Sequence, residues 1–151
     1  MATMPVGEPY ILLVEDDPDA LVLTAHAFRV AACPYPIVTV SDGAEALDFL
    51  LRGGPYEKRW PSEPPLITLL DLHLPKVGGM EVLRRVRESH ALRAITVVVL
   101  TSSVDEEAAV ESRKLGALLH HRKPVNCDEF VDFARKIVSI LPEPAVIGRM
   151  R

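Results

Sequence analysis

Side chains able to handle phosphate recur where apolar runs of this sequence end. Glu15, Asp16 and Asp17 follow the run Tyr10–Val14, and Asp71 follows Leu66–Leu70. Thr101, Ser102 and Ser103 follow Ile95–Leu100, and Lys123 stands just past Leu118–Leu119, with Pro124 after it. A carboxylate can act as a nucleophile toward phosphorus, an ammonium can neutralise the oxygens of a transferring phosphoryl group, and a hydroxyl can bond one of them. Carboxylates brought together cost free energy unless a proton or cation compensates, and hard oxygen donors that keep several waters suit Mg²⁺.

The elements that must position these groups are legible from hydropathy. Tyr10–Val14, Pro36–Val40, Leu66–Leu70, Ile95–Leu100 and Leu118–Leu119 are short apolar runs of the kind that form buried strands. Asp17 as a cap and Pro18 at the first position open a helix to about Ala31, with Leu21, Ala25 and Phe28 on one face. Helices are also expected over Gly43–Leu51, Gly79–Glu88 and Asp105–Leu115, the last ending at Gly116. A final one runs from about Asn126 to Ile140, its apolar stripe of Phe130, Phe133, Ala134, Ile137 and Leu141 widened by Val131 and Val138 before Pro142 stops it. Five strand–helix alternations predict an α/β fold with a parallel sheet covered on both faces, whose ligands gather beyond the carboxyl ends of the strands. Arg52–Pro65, with Gly53, Gly54, Pro55, Pro61, Pro64 and Pro65, reads as an exposed loop that includes Trp60.

The ordered set Ile11-Leu12-Leu13-Val14-Glu15-Asp16-Asp17, Leu69-Leu70-Asp71-Leu72-His73-Leu74-Pro75, Gly78-Gly79, Val99-Leu100-Thr101-Ser102 and Lys123-Pro124 resembles the response-regulator receiver family of two-component signalling. The resemblance covers about Tyr10 to Leu141, leaving residues 1–9 and 142–151 as tails. It implies a flavodoxin-like (βα)5 fold with strand order 2-1-3-4-5. It also implies that Asp71 is the phosphoacceptor, with Asp16, Asp71 and the backbone carbonyl of His73 on Mg²⁺ and Glu15 acting through water. Thr101, flanked by Ser102, is implied as the switch hydroxyl and Lys123 as the phosphoryl-binding lysine, with Pro124 fixing the following turn. Asp17 is left as a helix cap. His120 occupies the position where the family commonly has an aromatic that turns inward; imidazole is smaller and titratable, so a pH-sensitive output is expected there.

The bulk properties exclude other classes. A chain of 151 residues with 48% apolar and 25% charged residues is expected to fold as one domain. A net charge of −4 leaves no general cationic excess for nucleic acid or an anionic membrane. Cys33 and Cys127 show no metal-binding spacing, and no run approaches the roughly 20 apolar residues of a membrane span. A cytoplasmic protein is expected. His120 and His121, adjacent on a strand, point to opposite faces and share no ion.

The resemblance implies a sensor histidine kinase as phosphodonor. The Pro-rich loop and Leu141-Pro142 resemble the small regulators that partner phytochrome-type kinases. No DNA-binding or enzymatic domain is read after Leu141, so output is expected by protein contact, by onward transfer to a histidine phosphotransfer protein, or as a phosphate sink. The helix surplus of Val131 and Val138, with Val146 and Ile147, suggests a homodimer. The chain is expected to be a phosphoacceptor rather than an enzyme, with self-phosphorylation from small donors and autodephosphorylation. Two rivals remain: a pseudo-receiver, which would lack an acid or lysine retained here, and a haloacid-dehalogenase-type phosphatase, which needs Asp where His73 stands.

Overall fold

Each of the five apolar runs contributes a strand to one parallel sheet. The structure, a computed structural model, describes residues 9–58, 63–102 and 105–145; Trp60, Ser103, Val146 and Ile147 lie outside the described residues. The strands are β1 (Ile11–Val14), β2 (Ile37–Val40), β3 (Ile67–Asp71), β4 (Thr96–Thr101) and β5 (Leu119–Arg122), in the order β2-β1-β3-β4-β5. This is the flavodoxin-like arrangement. β5 is displaced from the expected Leu118–Leu119: Leu118 is outside it and exposed, while His120, His121 and Arg122 belong to it. Two imidazoles hid the strand from a hydropathy reading, and they divide between faces. His121 packs its ring 5.0 Å from Phe133, and His120 pairs in register with Val99 on the other side.

The helices are α1 (Pro18–Val30), α2 (Gly43–Leu51), α3 (Gly79–Glu88), α4 (Glu106–Lys114) and α5 (Cys127–Ile140). Asp17, Asp42, Asp105 and Asn126 cap α1, α2, α4 and α5, each side chain accepting a backbone N–H of the first turn. Alternate strand residues feed two cores, as a sheet covered on both sides requires. Leu12, Val14, Leu70, Val97 and Val99 pack under α2 and α3, whereas Ile11, Leu13, Ile67, Leu69, Val98 and Leu100 pack under α1 and α5. The buried stripe of α1 is Ala20, Thr24, Ala27 and Phe28, one step round from the expected Leu21 and Ala25. Thr24 can enter the core because its hydroxyl donates to the Ala20 carbonyl at 2.6 Å. Val131, Val138 and Leu141 are partly buried against the α1–α5 core.

Two long-range attachments shape the periphery. The α2–β3 connection is docked rather than loose: Tyr56, at the end of a 3-10 turn over Gly54–Tyr56, stacks edge-on against Phe49 and donates to Glu45 Oε1 at 2.7 Å. Tyr10 donates to the Glu63 carbonyl at 2.7 Å, holding the far end of the same connection. On the opposite flank, the Arg87 guanidinium of α3 donates to four carbonyls: Arg93 at 2.8 Å, Ile95 at 2.7 Å, Leu115 at 2.6 Å and Gly116 at 3.0 Å. Gly116 turns there with φ +79°, and a Cβ on it would meet Arg87 Nε at 3.3 Å. Arg84, one turn earlier, pairs with Glu111 of α4.

Thr68 is buried within β3, and its hydroxyl has no hydrogen-bond partner among the described residues. Its register partners are Leu12 and Val97, so its surroundings are hydrocarbon. A buried polar group left unpaired costs about 1–3 kcal/mol. Thr68→Val is expected to stabilise the protein by about 1 kcal/mol and raise Tm by about 3 °C. Thermal denaturation checks this.

Candidate functional site

The sheet register carries the reactive residues to one edge. Val14 pairs with Leu70, so Glu15 emerges beside Asp71, and the Glu15 N–H continues the ladder to the Val40 carbonyl at 3.1 Å. Asp71 pairs with Leu100 and Thr101 with Arg122, so Lys123 emerges next to Thr101 and donates its N–H to the Thr101 carbonyl at 2.7 Å. Acids from two strands and a lysine far along the chain thus meet without any helix having to bend toward them.

Glu15, Asp71 and Thr101 are only 3%, 4% and 3% exposed, which leaves their polar groups to be satisfied by one another rather than by bulk water. The Lys123 ammonium donates to Glu15 Oε1 and to Asp71 Oδ2, the latter at 3.1 Å. The second Asp71 oxygen accepts the His73 N–H at 2.9 Å. Asp16 is exposed, and ligand atoms of Glu15, Asp16 and Asp71 lie within 4.8 Å of one another.

Three carboxylates against one ammonium leave this cluster two negative charges in excess when all are ionised. The protein answers part of that excess with a proton. Burial, reinforced by the adjoining Asp71 carboxylate and only partly offset by Lys123, pushes the Glu15 carboxyl up to about 8. Partial burial works against the charge on Lys123, but the hydrogen bond to Glu15 and the charges of Asp71 and Glu15 prevail and hold its amine above the ordinary lysine value. An all-oxygen donor set with unbalanced negative charge fits a hard divalent cation.

The other expected residues fall around this centre. Ser102 is exposed beside Thr101, and Pro124 is buried directly after Lys123, in the turn that leads to the Asn126 cap of α5. Asp17 caps α1 through the Asp19 N–H at 3.0 Å and stays out of the cluster. His120 lies on the α3 side of the sheet with its Nε2 atom buried and without a partner among the described residues. Two contacts were not anticipated from sequence. Glu15, expected to face the cation through water, is directly paired with Lys123, 108 residues away. The His73 side chain, where only the backbone carbonyl was given a role, reaches Thr101, with Nε2 3.4 Å from Oγ1.

The raised Glu15 carboxyl gives a signed pH dependence. Its ordinary value is 4.5, so between about 5 and 8 the folded state binds a proton that the unfolded chain does not, and stability falls as pH rises through that window. Lys123 adds no slope there, because below its ordinary value it is protonated in both states. With divalent ions chelated, Glu15→Gln is expected to flatten the fall in Tm between pH 5 and 8 and to exceed wild type at pH 8. An unchanged slope in the variant would contradict this assignment.

Comparison with known proteins agrees with this geometry. Response regulator Rcp1 of Synechocystis sp. is 32% identical over 137 residues, covering 91% of this chain and 91% of that protein. The crystal structure of the Mn²⁺-bound form of response regulator Rcp1 superposes with a TM-score of 0.80, at 32% identity, covering 90% of this chain and 100% of that one. The bacteriophytochrome response regulator AtBRR gives a TM-score of 0.74 at 42% identity, over 90% of this chain and 96% of that one. Residues 11–135 match the response regulator receiver domain family. Since that match runs from the first residue of β1 into α5, across every strand end that carries an acid, the hydroxyl or the lysine, this chain belongs to the response regulator receiver domain family.

Proposed function

We propose that Asp71 accepts a phosphoryl group from the phosphohistidine of a sensor histidine kinase, within a receiver unit spanning residues 10–141. The observation that carries this reading is the convergence of Lys123 on Asp71 at 3.1 Å, with Glu15 and Asp16 within ligand distance of the same carboxylate. A carboxylate oxygen of Asp71 attacks phosphorus, the bond from phosphorus to the kinase's histidine nitrogen breaks, and that nitrogen keeps the electron pair. Attack by water later returns inorganic phosphate and the free carboxylate.

Asp16, Asp71 and the His73 carbonyl would hold Mg²⁺, with Glu15 reaching it through water. When bound, the ion neutralises charge on the phosphoryl oxygens. The chain's own residues do the rest. The His73 N–H and Lys123 orient the Asp71 carboxylate from two sides. Lys123 exchanges part of its bonding with Glu15 for a phosphoryl oxygen, and the Thr101 hydroxyl, flanked by Ser102, takes another. Loading adds about two negative charges, which draws Thr101 away from His73 and biases α4 and β5. His120, whose buried Nε2 has no partner among the described residues, lies on the path of that change. The phosphatase alternative finds no second acid at position 73, where the imidazole instead contacts Thr101.

Likeness to the bacteriophytochrome response regulator supports a phytochrome-type kinase as donor, and the cytoplasm is the proposed compartment. A downstream protein or a histidine phosphotransfer protein would receive the signal. Exposed Val110 of α4, Leu118 just before β5 and Ile140 of α5 offer apolar surface that supports a homodimer.

Incubation with acetyl phosphate and Mg²⁺ is expected to add one phosphoryl mass to the wild-type protein and none to Asp71→Asn, as read by intact mass spectrometry. An unmodified wild type, or an equally modified variant, would sink the reading. Leu118→Glu is expected to convert a dimer to a monomer in sedimentation velocity; a wild type monomeric in both phosphorylation states removes the dimer.

A further inference from the structure

Gly43 is the first residue of α2, a position where its backbone angles lie outside the left-handed region and nothing conformational calls for glycine. Glycine weakens a helix relative to alanine, so another reason must favour it. The reason is space. A Cβ on Gly43 would lie 1.7 Å from the Val77 carbonyl oxygen and 2.6 Å from its carbon. The Gly43 N–H also approaches the Pro75 carbonyl at 3.4 Å.

Beside it, Asp42 makes two attachments. Oδ1 accepts the Glu45 N–H at 2.7 Å as the helix cap, and Oδ2 pairs with the Lys76 ammonium at 3.2 Å. The cap bond to Glu45, with Lys76 assisting, holds the Asp42 carboxyl below its ordinary value. Lys76 adopts φ +66°, a left-handed conformation unfavourable for a lysine, and the ion pair helps hold it there. Three consecutive residues, Pro75, Lys76 and Val77, are therefore seated on the start of α2. The other end of their loop is gripped as closely: a Cβ on Gly79 would lie 2.2 Å from the Asp71 carbonyl oxygen, and the Gly79 N–H donates to Leu72 at 3.1 Å.

We infer that the β2–α2 junction, Gly43 with the Asp42–Lys76 pair, positions the phosphoacceptor loop, setting the height of His73 over Asp71 although none of the three touches the reacting atoms. The inference rests on the proposed Mg²⁺ and phosphoacceptor roles of Asp71 and His73. Magnitudes favour it. To restore an ordinary contact near 3.5 Å from 1.7 Å, the loop facing an alanine at position 43 must retreat by about 2 Å. Mg²⁺ demands ligands at about 2.1 Å in near-ideal octahedral geometry and tolerates no such displacement of one donor.

The test compares wild type, Gly43→Ala and Asp42→Asn by Mg²⁺ titration calorimetry, by the Mg²⁺ dependence of phosphorylation from acetyl phosphate, and by metal-free Tm. Asparagine keeps a cap acceptor while removing the charge that Lys76 pairs with. Gly43→Ala is expected to bind Mg²⁺ at least about tenfold more weakly, and Asp42→Asn several-fold more weakly, the scale typical of residues that orient a metal ligand. Saturating Mg²⁺ is expected to restore most of the phosphorylation rate in Asp42→Asn. If Gly43→Ala does not fold, Asp42→Asn decides. Variants with lowered Tm but wild-type Mg²⁺ affinity would show a purely structural junction and overturn the inference alone. A wild type that binds no Mg²⁺ would overturn the phosphoacceptor reading and this inference with it.

Discussion

The architecture converges on the cost of burying like charges at the carboxyl edge of the sheet. Glu15 and Asp71 are nearly inaccessible to solvent, and their strands are adjacent and in register, so neither can move away from the other. A single ammonium, delivered by the turn after β5, stands between them. The five-stranded sheet holds this unfavourable arrangement because β1 and β3 are packed on both faces by hydrocarbon. Rigid strands keep the acids together, and the unbalanced charge is what makes the edge receptive to a cation. Stability spent there is what a signalling site requires.

Hydropathy and capping made most of the scaffold legible, because strands of β-branched residues and helices opened by Asp or Asn announce themselves locally. The site was legible for a related reason: each reactive residue sits at the end of an apolar run, and parallel topology sends all such ends to one edge. What escaped was whatever depended on register or on close approach. Nothing near Glu15 in sequence indicates that its partner is Lys123, since the pairing follows from which strands become neighbours. β5 was misplaced because His120, His121 and Arg122 are polar, yet an edge strand needs less hydrocarbon than a central one. Asp42 was visible as a helix boundary, but its second oxygen and the need for glycine beside it belong to a loop more than thirty residues away. The Gly- and Pro-rich connection is exposed at most of its described residues, as its composition indicated, but Tyr56 and Tyr10 tie it down through hydroxyl bonds that no composition reveals.

The Arg87 guanidinium has a mechanical meaning beyond packing. Its bonds to Leu115 and Gly116 fasten the carboxyl end of α4, while those to Arg93 and Ile95 anchor the same group at the start of β4. The opposite end of α4, capped by Asp105, follows the segment that leaves Thr101. A rod held at one end behaves as a lever with its fulcrum at the arginine. Nine residues make an arm of about 13 Å, so a tilt of about 10° sweeps the Glu106 end through about 2 Å and leaves Gly116 nearly still. The Glu106 end is therefore the one that such a tilt displaces, and the pair between Arg84 and Glu111 sits partway along as a second restraint.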